Sequence, residues 1–160
     1  MNGGNCYGVE RQQWLLDAAI EVELPRYGLG EKGVHLLNQD DFEFAVFGVE
    51  FDYILAQSVV THLAWNSIQR CLVNVEEVLR KEGRFYATFF EDTNGSHRTT
   101  PVYHTRGGTV TYPDRDPFHY EFDVLVELAK RTSLEVVCIG QWNHPRSQAV
   151  MVFTKPRCGV

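Results

Sequence analysis

The stretch from Phe51 to Leu63, FDYILAQSVVTHL, constrains the fold more than any other part of the chain. Tyr53, Ile54, Leu55 and Ala56 form an unbroken apolar run that ends abruptly at Gln57 and Ser58. A strand covered on both faces reads as a continuous apolar run, whereas a strand with one wet face alternates. The run therefore predicts a buried strand. In open α/β sheets ligands gather at the carboxyl ends of such strands, so Gln57, Ser58, Thr61 and His62 are the first polar groups expected beside a ligand.

The rest of the chain supplies strands and helices in alternation. CYGVE (Cys6 to Glu10) reads as a short strand, and Trp14, Leu15, Ala18, Ala19 and Val22 follow at helical spacing until Pro25 and Tyr27-Gly28 stop the pattern. Val34 to Leu37 is a second strand that runs into Asn38, Gln39, Asp40 and Asp41, with Phe42 and Phe44 among the acids. After the FDYILAQ strand, Asn66 and Gln69 have capping-box spacing ahead of Ile68, Leu72, Val75, Val78 and Leu79 on one helical face. Lys81-Glu82-Gly83 ends that helix, and Arg84 to Phe90 forms a further strand with Glu91 at its tip. Residues 92–116 show no sustained period, which suits a lid or binding loop. Asp116-Pro117 has the form of a cap followed by proline at the first helical position, with Phe118, Phe122, Leu125, Val126 and Ala129 as the stripe. Leu134 to Ile139 and Ala149 to Thr154 are the last strands, antiparallel to each other across the QWNHPRS turn. Such alternation implies an α/β fold with a mostly parallel sheet, an antiparallel last strand and right-handed crossovers.

Composition narrows the function. At 160 residues the chain fits a single domain, and 44% hydrophobic with 22% charged residues is ordinary for a folded soluble protein. Neither a signal-peptide pattern nor an apolar run of about 18 residues occurs, so a soluble cytoplasmic protein without a membrane partner is expected. A formal net charge of -6 disfavours nucleic acid as a partner and leaves a small-molecule substrate as the expectation. Cys6, Cys71, Cys138 and Cys158 have no metal-ligand spacing and read as reduced thiols. Asp114, Asp116, His119 and Glu121 crowd together in sequence, but a cap and solvated acids account for them, so no metal is expected. Ser58 lacks the GxSxG elbow of a nucleophilic serine.

Taken together, CYGVE, the Asp40-Asp41-Phe42 step, FDYILAQSVVTHL, the segment from Val75 to Glu91 and the terminal strand pair resemble the class I S-adenosylmethionine-dependent methyltransferases from Cys6 to Lys155. The resemblance implies a three-layer Rossmann-like sheet and S-adenosyl-L-methionine as cofactor. By that resemblance Glu10 takes the ribose hydroxyls, a task suited to a carboxylate because it accepts two hydrogen bonds at once. Asp40 or Asp41 meets the adenine amino group with Phe42 beside the ring. Gln57 and Ser58 border the methionine portion, and His62 approaches the substrate as the catalytic candidate.

One part of the family pattern is missing. The strand and glycine-rich turn that precede the CYGVE-like strand in the family have no counterpart, since Met1-Asn2-Gly3-Gly4-Asn5 lacks both the strand and the helix that would aim its amides. The chain reads as the fold without its first βα unit. That strand normally lies between the CYGVE and FDYILAQ strands. Their facing edges are therefore expected either to pair directly or to be sealed by a homo-oligomer that completes the sheet, because unpaired buried backbone is costly. The same gap supports a second reading, a non-catalytic interaction or regulatory module on this fold.

Overall fold

In the computed structural model of the chain, residues 4–93, 95 and 99–156 are described. Cys158 lies outside them. The chain divides into two compact units, Met1–Phe47 and Gly48–Val160.

In the smaller unit, β1 (Cys6–Glu10) and β2 (Val34–Asn38) pair in parallel, from Cys6 against Val34 to Glu10 against Asn38. The crossover between them is helical: α1 (Gln13–Ala18), a π-helical stretch over Ala19–Glu23, and α2 (Leu24–Arg26). The helical run ends at Arg26, where Pro25 and Tyr27-Gly28 were expected to stop it. Gly28, at φ +65, ends it. The expected buried stripe is displaced. Leu16 is the buried residue of α1, while Trp14, Leu15 and Val22 are exposed. Tyr7 stacks on His35 at 4.7 Å across the strand pair.

The larger unit is built on a sheet of order β3-β4-β9-β8, made of β3 (Phe51–Ala56), β4 (Leu79–Glu91), β8 (Glu135–Gln141) and β9 (Ala149–Thr154). β3 and β4 are parallel, and β9 runs antiparallel to both β4 and β8, as the sequence predicts. The short β7 (His119–Tyr120) extends the far end of β4 in parallel. Two cross-strand rows form the inner face: Ile54, Phe85, Phe153 and Val136, then Ala56, Ala87, Met151 and Cys138. Phe85 and Phe153 are fully buried and stack at 5.3 Å. α3 (Trp65–Val78) brings Ile68, Leu72 and Val75 to this core at i, i+4 and i+7, and α4 (Phe122–Ala129) brings Leu125, Leu128 and Ala129. α3 packs on β4, α4 on β8, and the two helices on each other. Burial pushes the Cys71 thiol up to about 12, so it packs as a small apolar side chain.

Several expectations are corrected here. β3 is the edge strand of its sheet and is not covered on both faces: Tyr53 and Leu55 are 72% and 67% exposed. β1 pairs with β2 and β3 with β4, in separate sheets. The Asn66–Gln69 capping box does not form. α3 starts at Trp65 with Ala64 as its cap, which puts Asn66 inside the helix, and the buried Gln69 amide has no hydrogen-bond partner. The helix yields to extended chain at Leu79, before the Lys81-Glu82-Gly83 turn. Asp116-Pro117 is not a helix start: its peptide bond is cis, residues 119–120 are drawn into the ladder with β4, and α4 begins at Phe122 with Glu121 as its cap.

The expected structureless loop holds a hairpin, β5 (Val102–His104) against β6 (Thr109–Thr111), turned by Gly107 and Gly108 at φ +81 and +62. A buried polar chain ties the hairpin to β7. Thr111 Oγ1 lies 2.9 Å from His104 Nε2 and 2.9 Å from His119 Nδ1. Burial, then the neighbouring His119, holds the His104 imidazole below its ordinary range. Burial, then Arg146 and Arg106, does the same to His144 in the turn before β9.

Two outcomes are expected. A Cβ on Gly83 would fall 2.8 Å from Leu79 Cδ1 and 2.9 Å from the Phe51 carbonyl. Gly83→Ala should therefore destabilise the protein by about 1–3 kcal/mol in denaturant unfolding, whereas Gly30→Ala, with nothing within 4 Å, should be nearly neutral. The second concerns pH. Imidazoles depressed in the folded state take up protons more readily when unfolded, so stability is lost as pH falls below their unfolded value of about 6.5. The urea midpoint should drop between about pH 8 and about pH 5.5, and His104→Gln should reduce that drop.

Candidate functional site

The carboxyl end of β3 turns sharply at Ser58, which adopts φ +58, a conformation uncommon outside glycine and asparagine. A buried polar knot holds it there. The Ser58 N–H donates to Thr88 Oγ1 at 2.7 Å, the Thr88 hydroxyl donates to Gln148 Oε1 at 2.6 Å, and the Ser58 hydroxyl donates to the same oxygen at 3.0 Å. Thr61 closes the turn by donating to the Ser58 carbonyl at 2.9 Å. Thr61, Thr88 and Gln148 are buried, and hydrogen bonds in such surroundings are costly to break. The direction of the chain after β3 is thus set by partners on β4 and just before β9.

From this turn a 3₁₀ segment, Val60–His62, delivers His62 to the surface. His62 Nδ1 lies 2.5 Å from Asp116 Oδ1, and both side chains are more than half exposed. A carboxylate only accepts, so Nδ1 carries the proton and Nε2 is the nitrogen that faces a reactant when the ring is neutral. Two further bonds lash the 116–120 segment to 61–63. The Phe118 N–H donates to the Thr61 carbonyl at 2.7 Å, and the Tyr120 hydroxyl donates to the Leu63 carbonyl. Burial pushes the Tyr120 phenol well up, so it remains a donor.

The residues singled out in the sequence fall into two groups. Gln57, Ser58 and His62 share the carboxyl edge of β3 in the larger unit: Gln57 is exposed, the Ser58 hydroxyl is spent on Gln148, and His62 is held by Asp116. Glu10, Asp40, Asp41 and Phe42 belong to the smaller unit, at the carboxyl edge of its strand pair. Glu10 pairs with Asn38 in the ladder, and the Asn38 amide bridges the carbonyls of Glu10 and Arg11 at 3.0 Å each. Glu10 Oε1 accepts the Gln12 N–H at 2.8 Å, which aims the carboxylate and leaves Oε2 open among the described residues. Asp41 Oδ1 accepts the Glu43 N–H at 3.3 Å in a local turn, Asp40 is exposed, and Phe42 sits at φ +64 with its ring 6.2 Å from Phe44.

Asp116, Thr88 and Gln148 were not legible as site residues. Asp116-Pro117 carries a strong local cap signal that its contact with His62 overrides, and Gln148 lies 90 residues from Ser58 with no local mark of the pairing. The Gly107-Gly108 pair between two β-prone triplets was the available sign of the hairpin. Among the described residues no three metal-ligating side chains converge, and no helix is long and apolar enough to cross a membrane.

No protein-family model matches the chain, and no curated protein does. Solved structures do. The glycopeptide N-methyltransferase MtfA, in complex with S-adenosyl-L-homocysteine, matches 95% of the chain and 73% of its own length at a TM-score of 0.68 and 14% identity. The CcbJ methyltransferase from Streptomyces caelestis matches 94% of the chain and 74% of its own, at 0.68 and 13%. The pyocyanin biosynthetic protein PhzM matches 94% at 0.64 and 16%, and the chain spans 42% of its length. Likeness at such low identity speaks to architecture: the chain has the Rossmann-like α/β fold of the class I S-adenosylmethionine-dependent methyltransferases.

Proposed function

We propose that the protein binds S-adenosyl-L-methionine and transfers its methyl group to a small-molecule acceptor, with His62 as the base. The observation that carries this reading is the His62–Asp116 pair at the carboxyl edge of the sheet, the edge where ligands of open α/β folds bind. The cofactor supplies an electrophilic methyl on a sulfonium sulfur. Glu10 fits the ribose, since the Gln12 amide orients its carboxylate while Oε2 stays open. The exposed Asp40, or Asp41, would meet the adenine amino group with Phe42 beside the ring, and Gln57 and Ser58 would border the methionine end. His62 Nε2 would take the proton of an acceptor hydroxyl or amine, while Asp116 fixes the tautomer and steadies the imidazolium. Residues 92–116, with the β5–β6 hairpin, would meet the acceptor. A homo-oligomer that completes the sheet at the free edge of β3 is part of the same proposal.

A second reading, a non-catalytic interaction module on this fold, is favoured by the engagement of the Ser58 hydroxyl with Gln148.

Isothermal titration calorimetry separates the two. Micromolar binding of S-adenosylmethionine and S-adenosylhomocysteine that disappears in Glu10→Ala supports the enzyme, and no heat at millimolar ligand supports the module. If binding is found, S-adenosylhomocysteine release should be followed over a panel of phenol, carboxylate and amine acceptors. His62→Gln should then lower turnover by about 10²–10⁴-fold with cofactor affinity intact, and Asp116→Asn by a smaller factor.

A further inference from the structure

Within the larger unit, the turn before β9 and the tip of the β5–β6 hairpin gather hydrogen-bond donors that no acid answers. His144 to Ser147 is a tight turn with Pro145 at its second position, closed by the Ser147 N–H on the His144 carbonyl at 3.1 Å. Asn143 just before it and Ser147 at its end are left-handed, at φ +67 and +60. Non-glycine residues stay in that region only where the surroundings hold them there. The hairpin tip supplies part of the hold. Arg106 Nη2 donates to Asn143 Oδ1 at 2.5 Å, and a Cβ on Gly107 would fall 2.8 Å from the Pro145 carbonyl and 3.1 Å from Arg146 Cα. Arg106 and Arg146 thus stand on two segments in close contact.

His144 is 6% exposed, with its ring stacked on Trp142 at 5.4 Å. Its Nδ1 accepts the Arg146 N–H at 3.2 Å, which places the proton of the neutral ring on Nε2. That Nε2–H has no acceptor among the described residues, yet it is not sealed from solvent. The charged groups that act on the imidazole are Arg146 from its own turn and Arg106 from the hairpin, both positive. Neither guanidinium has a carboxylate partner among the described residues, although the chain carries a formal net charge of -6.

We propose that Arg106, Arg146 and the His144 Nε2–H form a binding site for an oxyanion, the carboxylate or phosphate group of a small molecule. Guanidinium forks match both groups with paired, charge-assisted hydrogen bonds. The imidazole adds a directed donor whose plane and tautomer are fixed before the ligand arrives, so little order is lost on binding. The turn is also anchored to the working edge. Gln148, one residue beyond it, holds the Ser58 hydroxyl and the Thr88 hydroxyl. On the methyl-transfer reading, on which this last step rests, the ligand is the methyl acceptor and the acceptor is an acid. The anion site itself does not depend on that reading.

The test uses the intact chain without cofactor, at low salt, with inorganic phosphate, benzoate and the neutral benzamide as probes. Calorimetry should give dissociation constants on the order of 1 mM for the anions and no saturable binding of benzamide. The tighter of the two anions tells whether the group is a phosphate or a carboxylate. Followed by NMR, the His144 imidazole should titrate at higher pH with the anion bound, because the anion offsets the field of the two arginines. Arg106→Gln and Arg146→Gln should each weaken binding at least about fivefold. Arg131→Gln removes an exposed charge elsewhere in the same unit and should change it by less than about twofold. Absence of saturable anion binding up to about 20 mM, or benzamide binding as tight as benzoate, would overturn the site. So would a loss in Arg131→Gln as large as that in Arg106→Gln, which would mean general attraction by exposed charge. Anion binding in a chain that ignores S-adenosylmethionine would sink the methyl-transfer reading and leave the site standing. Binding of S-adenosylmethionine without any of the anions would do the reverse.

Discussion

The larger unit depends on β4. It is hydrogen-bonded along both edges, in parallel to β3 and antiparallel to β9, and its far end takes β7 as well. Because each ladder satisfies backbone groups that could not be buried otherwise, Phe85, Ala87 and Phe89 can sit on the inner face at or near zero exposure. The same strand admits little tolerance. At Gly83 the β3 backbone and the Leu79 side chain approach so closely that no Cβ fits.

The candidate site inherits its order from that strand. Thr88, near the carboxyl end of β4, holds the Ser58 turn, and the turn aims the segment that carries His62. The end of β4 also seats β7, which brings Phe118 and Tyr120 to Thr61 and Leu63 and carries Asp116 to His62. An exposed ion pair such as His62–Asp116 contributes little to stability. Its value is orientation: one imidazole nitrogen is committed and the other is presented. Buried, fully bonded groups thus support a pair of exposed, reactive ones, the division expected where a rigid scaffold positions a working edge.

How much of this was readable differs from element to element. Ile68, Leu72 and Val75 were found from spacing alone because helical periodicity reports burial directly. β3 was placed correctly as a strand and misjudged in its cover. A continuous apolar run looks the same whether helices lie on both faces or on one, and Tyr53 and Leu55 are exposed here. Asn66 and Asp116 show the opposite failure, where a good local cap signal lost to tertiary demands: α3 starts two residues early, and Asp116 is taken by His62. Gln148 carried no sequence signal, since its partners lie 60 and 90 residues away.

The amino-acid sequence by itself determined the α/β class, the strand order along the chain, the antiparallel final pair and the polar residues that follow β3. These follow from periodicity, turn chemistry and the abrupt end of an apolar run, all of which act over a few neighbouring residues. Only the tertiary structure decided that Ser58 turns on Thr88 and Gln148 and that Asp116 orients His62. Those arrangements depend on which distant segments share a ladder, and local pattern carries no record of cross-strand register.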